Sequence, residues 1–327
     1  MFDLISIGDA RIDNFVHLPK AHLNCSLNKE RCELCLNYGD KIPIDQLQSL
    51  TAGNNNNNVI GSARLNMKTA LYGNIGGDAN GQMILDHLKK EGVDTSYIVI
   101  NKDVATEQSI VINYQGERTI LVYHYPWDYK LPDLDKTKWV YYSSVSFSYP
   151  KTNLVSQIEQ YIERTGANLV YTPGTHQLNY GVKKDPKLLT LTRVFIVNKE
   201  EAKKVLGIDE SKKVDIKKLL SGLADLGPKM VVITDGGEGS YGYDGEKYYK
   251  IGLFPARLVE MTGAGDAYAT GLIAGLSHGK DLSEAMRWGA ANGAAVVEEI
   301  GPQKGLLTYN KMQERLKENS KIIAKEI

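Results

Sequence analysis

Short apolar runs alternate with segments of helical spacing through most of the chain, and that alternation restricts it to a layered α/β fold. Leu4–Ile7, Lys68–Gly73, Trp139–Val145, Asn168–Tyr171, Arg193–Val197 and Met230–Thr234 read as buried strands. Between them Gly81–Lys90, Asn153–Arg164, Lys199–Leu206 and Val214–Leu226 carry apolar residues at helical spacing, and Leu282–Glu298 and Asn310–Glu318 are helical as well. Continuously apolar strands joined by helices are covered on both faces, so the expectation is a three-layer, Rossmann-like core around a mostly parallel sheet. No long linker or repeat divides the sequence, which reads as one domain over 1–327.

Two segments break the alternation, approximately 12–47 and 97–125. The second contains a hairpin: Gln108–Tyr114, a turn at Gln115-Gly116-Glu117, then Arg118–Tyr123. A small antiparallel β-sheet built from two insertions has the form of a lid, and the same pattern would suit peripheral decoration. The alternating apolar residues of this hairpin suggest an exposed edge that finds a partner, so a homodimer through the lids is expected.

With 42% hydrophobic residues the chain has ample material for a core, and 39 basic residues balance 39 acidic ones. No positive excess exists to neutralise phosphates, which argues against nucleic acid as a partner. The start Met1–Gly8 has an acid where a signal peptide has basic residues. The most apolar run, around Ala267–Leu276, is about half the ~18 residues that span a bilayer. The expectation is a soluble, cytoplasmic protein without a membrane partner. Cys25, Cys32 and Cys35 lie in one short segment, with His17 and His22 upstream. So few cysteines in so long a chain favour free thiols in a reducing compartment, and a single Cys-x-x-Cys is weak evidence for a zinc clip.

The stretch Glu260–Gly271 carries chemistry. Gly263 and Gly265 permit a tight turn in which consecutive N–H groups point at one anion, and Asp266 falls at the mouth of the helix Ala267–Leu276. A carboxylate beside an anion hole made by Gly263, Ala264 and Gly265 suits phosphoryl transfer to an alcohol, with Asp266 taking the hydroxyl proton. A plain helix start with a capping Asp would look the same. Gly263, Ala267, Gly271 and Gly275 recur every four residues, so this helix should pack closely on a neighbour.

The Gly263-Ala264-Gly265-Asp266 string resembles the signature of the ribokinase-like (PfkB) carbohydrate kinases, which reads Asp-Thr-x-Gly-Ala-Gly-Asp; Glu260 and Met261 replace its first two residues. Further matches follow in family order. Asn198 to Glu201 resembles the family's Asn-x-x-Glu and would order water around phosphate-bound Mg²⁺. Thr234, Gly236 and Gly239 match a nucleotide loop, and Asn292 an adenine-side position. Asp13 aligns with a sugar-binding Asp, and Ala52–Asn58 stands where the family has Gly-Gly-x-x-x-Asn, which puts Gly53 and Asn57, with Asn54 beside them, at the acceptor. The five-asparagine run leaves open which one touches substrate.

The resemblance implies an ATP- and Mg²⁺-dependent kinase acting on a hydroxyl of a sugar or sugar-like molecule, with a β-lid over the acceptor. A nucleoside acceptor, ADP as donor, and a catalytically idle binding homologue remain open. So does a monovalent cation beside the loop, where Met261 removes the family's hydroxyl. A Rossmann-type oxidoreductase fits less well, because Gly8-Asp9-Ala10-Arg11 stands where Gly-x-Gly-x-x-Gly would follow the first strand.

Overall fold

The computed structural model describes residues 1–25, 32–115 and 117–327; Gly116 of the expected hairpin turn lies outside them. A ten-stranded sheet forms the middle layer. From one edge its strands are Lys325–Glu326, Tyr248–Ile251, Ser240–Tyr243, Met230–Thr234, Thr192–Asn198, Asn168–Tyr171, Thr137–Tyr142, Phe2–Ile7, Thr69–Gly76 and Ile98–Asn101. All pairings from Met230–Thr234 to Ile98–Asn101 are parallel. The three strands at the opposite edge run antiparallel. All six strands read from the sequence are present; Thr69–Gly76 is buried at every position, as a strand covered on both faces must be.

Helices lie on both faces. On one, Leu154–Thr165, Lys199–Leu206 and Ile216–Ala224 bury Ile158, Tyr161, Ala202, Val205 and Leu219 against Tyr142, Tyr171 and Phe195. On the other, Ala264–Ser277 and Leu282–Val296 bury Leu272, Ile273, Met286 and Trp288 against Tyr141, Val170 and Val232. The small-residue face of Ala264–Ser277 does pack closely: a Cβ on Gly271 would lie 2.5 Å from the Trp288 carbonyl oxygen. Asp78 caps the helix Ala79–Lys90 through Gly81 N–H (2.9 Å).

The chain passes from Phe2–Ile7 to Thr69–Gly76 on one side and returns to Thr137–Tyr142 on the other. This reversal opens a crevice at the strands' carboxyl ends, where ligands bind in open α/β sheets. Over it lies a separate four-stranded sheet, in the order Gln46–Ala52, Arg11–His17, Gln108–Tyr114, Glu117–Tyr123. Its outer pairs are antiparallel and its central pair is parallel, because two separate excursions from the core meet there side by side. Residues 98–101, read as part of the second insertion, instead extend the core sheet.

The first excursion also carries a two-stranded hairpin, His22–Cys25 with Cys32–Cys35. The expectation of free thiols fails here: Cys25 and Cys32 face each other across the pair and are joined by a disulfide, while Cys35 is free and exposed. A count of cysteines cannot reveal cross-strand register. His22 pairs with Cys35 on the alternate face, so the four side chains do not converge on one point. Among the described residues no helix is long and apolar enough to cross a membrane.

Candidate active site at the carboxyl ends of the core strands

A cavity of about 250 Å³ occupies the crevice and is walled by segments that leave the carboxyl ends of successive core strands. Asp9 and Arg11 come from the first strand, Ser144 and Val145 from Thr137–Tyr142, Thr172 to His176 from Asn168–Tyr171, Asn198 and Glu201 from Thr192–Asn198, and Thr234 from Met230–Thr234. Gly265 and Asp266 close the wall from the opposite helix layer.

The helix bearing Asp266 begins three residues earlier than the sequence suggested. Gly263 is its N-cap at φ +83°, a left-handed angle suited to glycine, and a Cβ there would sit 2.5 Å from Pro302 Cβ. Asp266 therefore stands within the first helical turn. Of the three N–H groups expected to form an anion hole, that of Ala264 donates instead to the Met261 carbonyl (3.3 Å). Position at the helix start leaves the N–H groups of Gly263, Gly265 and Asp266 without a partner inside the helix. Glu260 accepts from Thr262 N–H (2.9 Å) and Gly301 N–H (3.1 Å), which by itself ties this loop to the one at 301.

Two asparagines grip the carboxylate of Asp266. Asn54 Nδ2 donates to Oδ1 and Asn57 Nδ2 to Oδ2, each at 2.8 Å. The asparagine run is the first turns of the helix Asn54–Arg64, N-capped by Gly53 at φ +105°, and its members have separate tasks. Asn55 donates to Ser6 Oγ and the Ile7 carbonyl, and Asn58 to Thr270 Oγ1. Of the asparagines only Asn54 borders the cavity, with Gly53. Asn57, expected at the acceptor, instead serves Asp266. Burial raises the Asp266 carboxyl above its ordinary 3.8, against the pull of Asn57, Arg11 and Asn54.

Asn198 and Glu201 form a capping box: Asn198 Oδ1 accepts from Glu201 N–H (2.8 Å), and Glu201 Oε2 from Asn198 N–H (2.9 Å). Asn198 Nδ2 and Glu201 Oε1 are left over at the cavity wall. Burial pushes the Glu201 carboxyl up. Thr234 borders the cavity; Gly236 and Gly239 shape the turn beyond it with positive φ.

Two further expected site residues, Asn292 and Asp13, do not line the cavity themselves. Asn292 is fully buried, donating to the Ala267 carbonyl (2.8 Å) and accepting from Leu307 N–H (3.0 Å), so it braces two helices and has no amide to offer a nucleotide. Asp13 lies just behind the wall, where Oδ1 accepts from Ser109 Oγ and from Arg11 Nε (3.2 Å).

Sequence reasoning missed the groups at the lid end. Asp9 is buried, takes a hydrogen bond from Tyr129 OH on Oδ2, and has no partner on Oδ1. Buried Glu107 accepts from Tyr125 N–H and pairs with His124 Nδ1, both at 3.0 Å. The His124 ring meets His176 edge-on at 4.6 Å. Burial, then the charge of Glu107, pushes the Asp9 carboxyl well up. These residues come from far-apart segments that share no spacing rule; the one local signal was an Asp directly after the first strand's glycine.

Comparison with known proteins decides the family. The profile of the pfkB family of carbohydrate kinases matches residues 21–308. The chain belongs to this family. Among curated relatives it is 24% identical to a 5-dehydro-2-deoxygluconokinase of Shouchella clausii, over 97% of this chain and 96% of that one. It is also 24% identical to a nucleoside kinase of Methanothermobacter thermautotrophicus, over 93% and 92%. Among solved structures, Arabidopsis thaliana ribokinase complexed with ribose and ATP superposes with a TM-score of 0.80 at 21% identity, covering 97% of this chain and 99% of that one. The Methanocaldococcus jannaschii nucleoside kinase gives 0.78 at 20%, with the same coverage. The ribokinase fold and kinase membership expected from the motifs therefore hold, and the chain is a kinase of the sugar and nucleoside type.

Proposed function

We propose that this pfkB-family kinase transfers the terminal phosphoryl group of ATP to a hydroxyl of a sugar or nucleoside held under the lid, with Asp266 as general base. The observation that carries this reading is the Asp266 carboxylate itself, on the cavity wall, one amide on each oxygen, beside first-turn N–H groups of its own helix. Such a carboxylate is fixed in place yet keeps a lone pair on each oxygen for an incoming proton.

The acceptor oxygen would form its bond to the terminal phosphorus as the bond to the departing ADP breaks, and Asp266 would receive the hydroxyl proton. The N–H groups of Gly265 and Asp266, with the helix dipole behind them, would stabilise charge on the transferring group. Asn198 and Glu201 offer oxygen and amide groups to waters around a hard divalent cation, a donor set that suits Mg²⁺ held through water. Mg²⁺ would neutralise charge on the phosphates. Thr234 and the turn at Gly236 and Gly239 would border the nucleotide; Gly53, Asn54 and Asp13 would border the acceptor. The lid would exclude water as a competing acceptor. Its outer strand, Glu117–Tyr123, is exposed throughout, with Ile120, Leu121, Val122 and Tyr123 open to solvent, which supports a homodimer through the lids. Light scattering at micromolar concentration tests it, and a monomer removes the idea.

ADP release measured with Mg²⁺-ATP against a panel of sugars, sugar acids and nucleosides tests the activity. Turnover with at least one class is expected. Binding of ATP with no turnover on any acceptor would favour an idle homologue.

A further inference from the structure

The hydrogen bonds that hold Asp266 continue behind the cleft. Asn57 gives its Nδ2 to Asp266 and accepts on Oδ1 from Gln303 Nε2 (2.8 Å). Gln303 Oε1 in turn accepts from Thr51 Oγ1 (3.1 Å) and pairs with His87 Nε2 (3.0 Å). An amide has one accepting and one donating end, so its orientation decides what each neighbour meets. Gln303 is only 7% exposed. With Thr51 donating to its oxygen, and His87 too in the tautomer protonated on Nε2, its NH₂ is left for Asn57; that NH₂ takes the Asn57 oxygen, which leaves the Asn57 NH₂ for the carboxylate. Asn54 is set in one step, by Ser144 Oγ on its Oδ1 (3.1 Å).

We propose that Gln303, which does not line the cleft, is a positioning residue: held by Thr51 and His87, it keeps an N–H rather than a carbonyl oxygen of Asn57 against Asp266. The inference rests on the reading of Asp266 as the base for its effect on turnover, but not for its effect on the carboxyl. With Asn57 reversed, a carbonyl oxygen would face a carboxylate oxygen at hydrogen-bond distance. The ionised form would lose a donor and gain a repulsion, so the carboxyl would titrate higher. The other charged or ionisable groups acting on Asp266 are Arg11, Asp13 and the buried phenol of Tyr141. A neutral replacement at position 303 alters none of them, whereas a glutamate there adds a charge that by itself raises the carboxyl.

Gln303→Glu keeps the shape and removes the donor. Its carboxylate still accepts from Thr51 and His87 and demands a donor from Asn57, which turns the amide round. Gln303→Met removes the constraint without reversing it, and the Thr51→Val/His87→Leu pair releases Gln303 without touching it. The Asp266 side-chain carboxyl is titrated by ¹³C NMR, its signal assigned by its loss in Asp266→Asn, and the acidic limb of the kcat–pH profile is recorded in parallel. A rise of about one pH unit is expected in Gln303→Glu, the equivalent of one hydrogen bond to an ionised group, with a smaller rise of the same sign in the other two variants. Carboxyl titrations within about 0.3 pH unit of the parent in the two neutral folded variants would overturn the proposal, whatever Gln303→Glu does. A carboxyl that moves while the kinetic limb stays put upholds the positioning role and refutes Asp266 as the base.

Discussion

The two ends of the cleft are built in different ways. At the proposed nucleotide end, the expected groups other than Asn292 belong to local motifs: the capping box of Asn198 and Glu201, the Thr234 turn, and the first turn after Gly263. At the proposed acceptor end, Asp9, Glu107, His124 and His176 come from four separate segments that meet where the small sheet crosses the core. Backbone amides and caps would suit a constant phosphate chain. Side chains gathered from distant segments can vary one by one, which suits the half of the site that chooses the acceptor.

Substitutions on either side of this divide sharpen it. Asp266→Asn, at the meeting point, keeps the shape but cannot take a proton; kcat should fall by roughly 10²–10⁴ with the ATP KM near that of the parent. Steady-state rates with a melting curve for each protein check this. At the acceptor end, Asp13→Ala should raise the acceptor KM by about 10- to 100-fold, corresponding to roughly 1.5–3 kcal/mol for a charged hydrogen bond, with the ATP KM unmoved. Equal weakening of both ligands would break the division of the cleft. Asn292→Leu should destabilise the fold by about 1–3 kcal/mol, since the Ala267 carbonyl and Leu307 N–H are left buried without partners, and leave the ATP KM alone. Denaturant unfolding and ATP kinetics decide; a raised ATP KM with unchanged stability would return Asn292 to the nucleotide site.

The smallest effect concerns Asp9. Its folded carboxyl titrates well above the ordinary 3.8, so it favours the folded state below that value and loses this contribution as pH rises through the folded pKa. Asp9→Asn should therefore raise Tm at neutral pH by about 2–4 °C for each kcal/mol recovered, with the gain vanishing below about pH 4. A gain that persists or grows in acid would contradict the raised titration.

Legibility in the sequence followed the same divide. Strands and helices with strong periodicity were readable, and so were the caps and glycine turns, because their cause lies within a few residues. Ser240–Tyr243 and Tyr248–Ile251 escaped: four-residue strands reading Ser-Tyr-Gly-Tyr and Tyr-Tyr-Lys-Ile carry too little apolar pattern. The separate partners of the Asn54–Asn58 amides were not legible, since what each amide meets depends on Ser144, Gln303 and Thr270, far away in the chain. Glu107 and His124 had no local signal, and the Cys25–Cys32 bond depended on register within a hairpin.

The central claim, a proton passing to Asp266 as phosphate leaves ATP, is tested most directly by the single-turnover rate of phosphoryl transfer against pH, with ATP and acceptor prebound. The parent rate should rise tenfold per pH unit along an acidic limb whose midpoint lies above 3.8, then level off, and Asp266→Asn should be slow and lack that limb. The same limb in Asp266→Asn, at a comparable rate, would contradict the account.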